Sequence, residues 1–139
     1  MLTIAVRAHG EHGFVVAIEE DLPGTALPIR GEEQLVLEPR ALLACVTPRE
    51  YGQRVGEALF AGATLAAWQR ARARGRERLH VVLAIEAPAL RSLRWERLCA
   101  PFGAGWDFVR CDQRTPFTLH VASDSDRDYA PPRAGEAPR

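Results

Sequence analysis

The sequence contains no lysine and no asparagine, a single methionine and three cysteines, and its charges cancel. Each shortage excludes something. All 18 basic residues are arginines, a bias that fits a GC-rich bacterial genome. It also weakens any argument from arginine clusters, because arginine stands where another genome would use lysine. With 18 acidic residues opposing them the formal net charge is zero, so no global field draws the chain to nucleic acid or to an anionic membrane. Cys45, Cys99 and Cys111 are odd in number and lack CxxC spacing or a matching histidine pattern, which argues against a disulfide framework and a zinc site. No metal or cofactor is expected. No stretch approaches the roughly 18 apolar residues of a membrane span, and the N-terminus lacks the basic start and apolar run of a signal peptide. A cytoplasmic chain with reduced, mostly buried thiols is the expectation.

What is present is ordinary globular material. The 139 residues are 47% hydrophobic and 26% charged, enough for one domain with a modest core. That domain is placed at residues 1–122. The segment SDSDRDYAPPRAGEAPR from Ser123 has almost no large apolar residue and reads as a flexible linker or tail over 123–139. Leu2–Val6 and Phe14–Ile18 flank a polar turn with Gly10 and Gly13, a hairpin pattern. QLVLEP is a further short strand and ALLAC a helical turn or linker. At TPRE, Thr47 as N-cap, Pro48 at the first helical position and Glu50 as capping-box acid together start a helix. Tyr51, Val55, Leu59, Gly62 and Ala66 continue it as one stripe, predicting a single long helix over about 48–74 ended at Gly75. Gly56 and Gly62 weaken it intrinsically, so packing against a close neighbour must hold it. LHVVLAIE, Leu79–Glu86, reads as a central strand buried on both faces. A short helix over about 89–99, a turn at Pro101–Gly105 and strands in WDFVRC and PFTLHVA complete an α+β fold with a mixed β-sheet.

Three constellations invite a chemical reading. Arginines 70, 72, 74, 76 and 78 suggest a phosphate-binding or nucleic-acid surface, but alternate helical residues point about 200° apart and no aromatic is interleaved. Nucleic acid is therefore not the expected partner. His9 and His12, each followed by glycine, combine with Cys45 into a conceivable histidine–cysteine dyad for a small stand-alone hydrolase. Against it, Cys45 lies in an apolar run that favours an inert, buried thiol. In LRWERLCAP, Glu96 and Cys99 would share a helix face, yet a carboxylate beside a thiol opposes ionisation. Leu93, Trp95 and Leu98 read better as core anchors, with Glu96 paired to an arginine or an amide.

The order of LHVVLAIEAPALRSLRWERLCAP and WDFVRCDQRTPFTLHVA resembles the CHAT family, caspase-like proteins associated with TPR repeats, in the section that precedes their catalytic half. Leu93, Trp95, Glu96, Leu98, Arg114, Thr115 and Pro116 match that pattern, and Tyr51–Phe60 looks like its preceding helix. The resemblance covers residues 51–121. It implies the N-terminal part of a caspase-like module, with Trp95, Glu96, Leu98, Arg114 and Pro116 as structural or interface residues. The family's catalytic histidine and cysteine lie further downstream, so no catalytic role passes to His9, His12 or Cys45. The implied role is a non-catalytic, accessory part of a bacterial conflict or antiviral protease. Its expected partner is a protein, either the peptidase half or a TPR or sensor protein.

Overall fold

A computed structural model describes residues 1–11, 13–21, 24, 27–74, 79–112 and 115–121. The expected tail after Ser123 lies outside the described residues, as do Arg76, Arg78 and the expected helix end at Gly75. Strands β1 (Leu2–His9), β2 (Gly13–Glu20), β3 (Ile29–Leu35), β4 (Val81–Ile85) and β7 (Phe117–Val121) form one sheet in the order β3-β2-β1-β4-β7. β5 (Cys99–Phe102) and β6 (Gly105–Phe108) make a separate antiparallel hairpin. Helices α1 (Pro39–Leu42), α2 (Pro48–Leu59) and α3 (Gly62–Ala73) complete the α+β fold.

The predicted hairpin forms, with β1 and β2 antiparallel from Leu2 opposite Glu20 to His9 opposite Gly13. β3 joins β2 antiparallel, while β1, β4 and β7 are mutually parallel neighbours. The sheet is therefore mixed. Period-two alternation sorts the strands: Leu2, Ile4, Val6, Val16, Ile18, Val81, Leu83 and Ile85 are buried on one face, with Val55, Leu59 and Trp68 in the same core. Val82 and Ala84 on the other face of β4 are only half-buried. The central strand is thus β1 rather than β4, and β4 is fully buried on one face.

The single helix expected over 48–74 is two helices. α2 begins as the capping signals require: Thr47 Oγ1 accepts from the Glu50 amide at 3.1 Å and the Glu50 carboxylate accepts from the Val46 amide at 3.2 Å. It stops at Phe60, after which Ala61 is extended and Gly62 takes φ +54°. α3 then starts without a side-chain cap of its own. Glu33 of β3 replaces it, its Oε1 accepting from the Ala63 amide at 2.6 Å. A tertiary cap and a left-handed glycine turn the chain where hydrophobic spacing alone runs straight through.

Several boundaries also move. The strand read in QLVLEP begins earlier, at Ile29, and ends at Leu35. The short helix expected over 89–99 resolves into two 3-10 turns, Pro88–Leu90 and Trp95–Arg97, because Cys99 is claimed by β5. The turn expected at Pro101–Gly105 shrinks to Gly103 and Ala104, with Pro101 and Phe102 in β5 and Gly105 in β6.

Candidate functional site

LRWERLCAP is pinned from both sides. Trp95 is fully buried, and its indole Nε1 donates to the Leu90 carbonyl at 2.7 Å, so the largest side chain of the segment is satisfied in polar as well as apolar terms. Leu90 and Leu98 lie in the same core. Leu98 N–H donates to the Trp95 carbonyl at 3.0 Å, and its own carbonyl accepts from Val109 at 3.0 Å, tying the segment to the turn after β6.

α2 packs onto this segment backbone to backbone. A Cβ on Gly52 would overlap the Arg97 carbonyl, and one on Gly56 would overlap the Cys99 carbonyl and press on the Trp106 ring. Gly56 meets the close approach its position in the helix predicts. Gly52 performs the same task one turn earlier and was not singled out, although the Gly-x-x-x-Gly spacing places both on one helix face. Flanking them, Tyr51 Oη accepts from the Arg94 amide at 2.8 Å, and the Arg97 guanidinium sits 5.5 Å from the Tyr51 ring. Arg49 donates to the Trp106 carbonyl at 3.0 Å and to Asp107 at 3.2 Å, with its guanidinium 5.1 Å from the Phe108 ring.

Glu96 pairs outward with Arg94 at 3.9 Å, as expected for a surface partner. With no helix here, Glu96 and Cys99 share no helix face. The Cys99 thiol is buried and donates to the Arg97 carbonyl at 3.7 Å. Burial pushes it up from its ordinary value, outweighing the lowering effect of Arg49. Such a thiol is protonated and unreactive at neutral pH.

The Arg-Thr-Pro element lies directly before β7. Thr115 is buried, its Oγ1 donating to Asp112 at 2.7 Å, and the Pro116 carbonyl accepts from Val81 at 2.8 Å, which sets the β4–β7 register. Arg114 lies outside the described residues. His9 is exposed at the end of β1, and Cys45 packs against the core while its Sγ faces the Ala41 carbonyl at 4.0 Å. Among the described residues no hydrogen bond joins Cys45 to a histidine, and His12 lies outside them.

The arginines at the end of α3 turn inward. Arg70 and Arg74, one turn apart, both pair with Glu20, the first at 3.5 Å. Glu20 is 1% exposed, a carboxylate on the buried face of β2. A strand ending at Ile18 leaves it out, although Val16, Ile18 and Glu20 share one face by strand alternation. Arg72 points elsewhere: it donates to the Pro101 carbonyl at 3.3 Å and lies 4.6 Å from the Phe102 ring. Phe102 in turn meets Trp68 edge-on at 5.5 Å.

One further surface remains, the sheet face away from the helices. Thr3, Ala5 and Ala17 floor a shallow depression of about 470 Å³, rimmed by Arg7, Glu19, Arg30 and Glu32. Arg7 pairs with Glu86 at 3.2 Å and Arg30 with Glu19 at 4.0 Å, so the rim is largely self-neutralised. Among the described residues no group of three or more histidine, cysteine or acidic side chains could hold a metal. No helix among them is long and apolar enough to cross a membrane. Compared with known proteins, the chain matches no family model, no curated protein and no solved structure.

Proposed function

We propose that the chain is the non-catalytic N-terminal section of a CHAT-type, caspase-like protein of a bacterial conflict or antiviral system. It supports a peptidase half located downstream or on a partner chain. The carrying observation is that two of the CHAT-like motifs, Tyr51–Phe60 and Trp95–Leu98, meet. Tyr51 and the glycine face of α2 clamp Trp95–Cys99, and Thr115–Pro116 launches the parallel strand β7. Two motifs separate in sequence thus pack as one unit, and the third orders the neighbouring sheet edge. Among the described residues no helix lies over the depression floored by Thr3, Ala5 and Ala17, which agrees with this reading, because parallel strands are ordinarily covered on both sides. The small residues Ala5, Ala17 and Ala84 of that face leave room for a second layer from the peptidase half.

The chemistry of Cys45 does not compete with this. Its thiol is turned to a carbonyl of its own segment, so the chain alone is expected to leave peptide and ester substrates uncut, and Cys45→Ala is expected to change nothing. The decisive experiment is co-expression with a caspase-like peptidase half encoded downstream or in a neighbouring gene. Co-purification of the two, with peptidase activity abolished only by substitutions in the partner, is the expected result. Two polypeptides that never associate would overturn the reading.

A further inference from the structure

The two edges of the sheet are built differently. β3, IRGEEQL, carries Arg30, Glu32 and Glu33 and a mid-strand glycine, the charged and interrupted pattern that keeps an edge from pairing with another chain. β7, FTLHV, has no Asp, Glu, Arg, Gly or Pro and alternates apolar with polar residues throughout. It is parallel to β4 on one side, and among the described residues no strand pairs with its other side. Among the described residues one edge is defended and the other is left without a partner strand.

The backbone polarity of that open edge follows from the register. Val81 N–H donates to the Pro116 carbonyl and Val81 lies opposite Phe117. In a parallel ladder alternate residues bond to the same neighbour, so Thr118 and His120 continue the bonding to β4. The N–H and C=O groups of Phe117, Leu119 and Val121 therefore point away from the sheet.

We infer that β7 is a self-association edge whose occupant is β7 of a second copy, paired antiparallel about a two-fold axis at Leu119. The strand is complementary to itself under that operation. Leu119 faces Leu119 of the second copy, each donating to and accepting from the other, and Phe117 does the same with Val121. Phe117, Leu119 and Val121 lie on the face shared with Val81, Leu83 and Ile85, so these apolar pairs extend the core across the junction. On the other face Thr118, whose Oγ1 lies 2.8 Å from His80 Nε2 of its own chain, meets His120, so polar faces polar there. Aromatic with β-branched and hydroxyl with polar are favourable cross-strand neighbours, and no like charges oppose one another. The same operation on β3 centres on Glu32 and sets carboxylate against carboxylate. Charge thus favours self-pairing at β7 and opposes it at β3. The assignment stands independently of the CHAT reading.

A junction of one short strand is small, so a concentration-dependent monomer–dimer equilibrium is expected rather than a permanent dimer. The test is analytical ultracentrifugation of the full chain over a concentration series, with hydrogen exchange read at single amides. Association is expected to rise with concentration, together with protection of the Phe117, Leu119 and Val121 amides. Leu119→Pro removes an outward donor without touching the β4 ladder, since proline is tolerated on the free side of an edge strand. It should weaken dimerisation at least about tenfold, the loss expected when two backbone hydrogen bonds go. The pair Thr118→Lys with His120→Lys sets like charges opposite one another and should do the same, with an unchanged circular dichroism spectrum keeping the result interpretable. A chain that stays monomeric at about millimolar concentration overturns the assignment. So does a dimer whose outward β7 amides exchange freely, or whose affinity both variants leave intact.

Discussion

Glu20 is the residue whose environment most constrains substitution. Its carboxylate is out of water while Arg70 and Arg74 are half-exposed, so the two sides of the interaction are unequal. Removing both arginines leaves a buried charge without compensation, which costs about 3–5 kcal/mol. Removing the charge instead, by Glu20→Gln, lets both arginines return to solvent and leaves a buried amide, a loss of about 1–3 kcal/mol. Urea unfolding of Arg70→Ala/Arg74→Ala against Glu20→Gln should therefore show the double arginine variant as the less stable. Cys99 gives a second prediction at this scale. Its thiol is held above the ordinary 9.0 by burial, so the unfolded chain ionises first. Stability is complete below that value and falls as pH rises above it. Cys99→Ala should flatten the alkaline slope of denaturant midpoints, and thiol reagents at neutral pH should label exposed Cys111 well before Cys99.

The break between α2 and α3 shows what was legible and what was not. The start of α2 is written locally in Thr47, Pro48 and Glu50, and the structure realises each of them. The break depends on Glu33, distant in sequence, and no periodic reading of residues 48–74 can contain it. Likewise the strands with strong alternation are legible, while the helix expected over 89–99 fails at Trp95–Arg97 because Cys99 is taken by the β5–β6 hairpin. Of the candidate site, Trp95 and Leu98 were identified as anchors, and the buried carboxylate and the clamp at Gly52 were not, since each needs a partner from another element. The tertiary cap makes a testable claim about the element. Gly62 has φ +54°, and a Cβ there would collide with the Glu33 carboxylate. Gly62→Ala should cost about 1–2 kcal/mol for the left-handed backbone alone. Glu33→Ala should cost about 1 kcal/mol through the lost cap, and Glu33→Gln, which keeps an acceptor, less than that. The effects of Gly62→Ala and Glu33→Ala should not add, because the alanine at 33 removes the collision that the alanine at 62 creates. A double-mutant cycle by thermal unfolding measures that coupling.

For the molecule as a whole, the sheet divides its surfaces by chemistry. One face carries the core, the β3 edge repels through its charges, and the β7 edge is left to pair. The remaining face has small side chains, Ala5, Ala17 and Ala84, at its centre and a rim of Arg7, Glu19, Arg30 and Glu32. In the isolated chain this face does little for stability, so Ala84→Arg, at a half-buried position of β4 opposite His120, should shift unfolding by no more than about 0.5 kcal/mol. If the peptidase half supplies the second layer, the same arginine stands inside that contact as a bulky, desolvated charge. Co-purification with the caspase-like partner should then fall by tenfold or more, the equivalent of about 1.4 kcal/mol. A pull-down comparing Ala84→Arg with Leu119→Pro, which alters the outward backbone of β7 and adds nothing to the face of Ala84, separates the two surfaces. The first should lose the peptidase half and keep self-association, and the second should do the reverse. Loss of both contacts in both variants would mean that face and edge form a single interface.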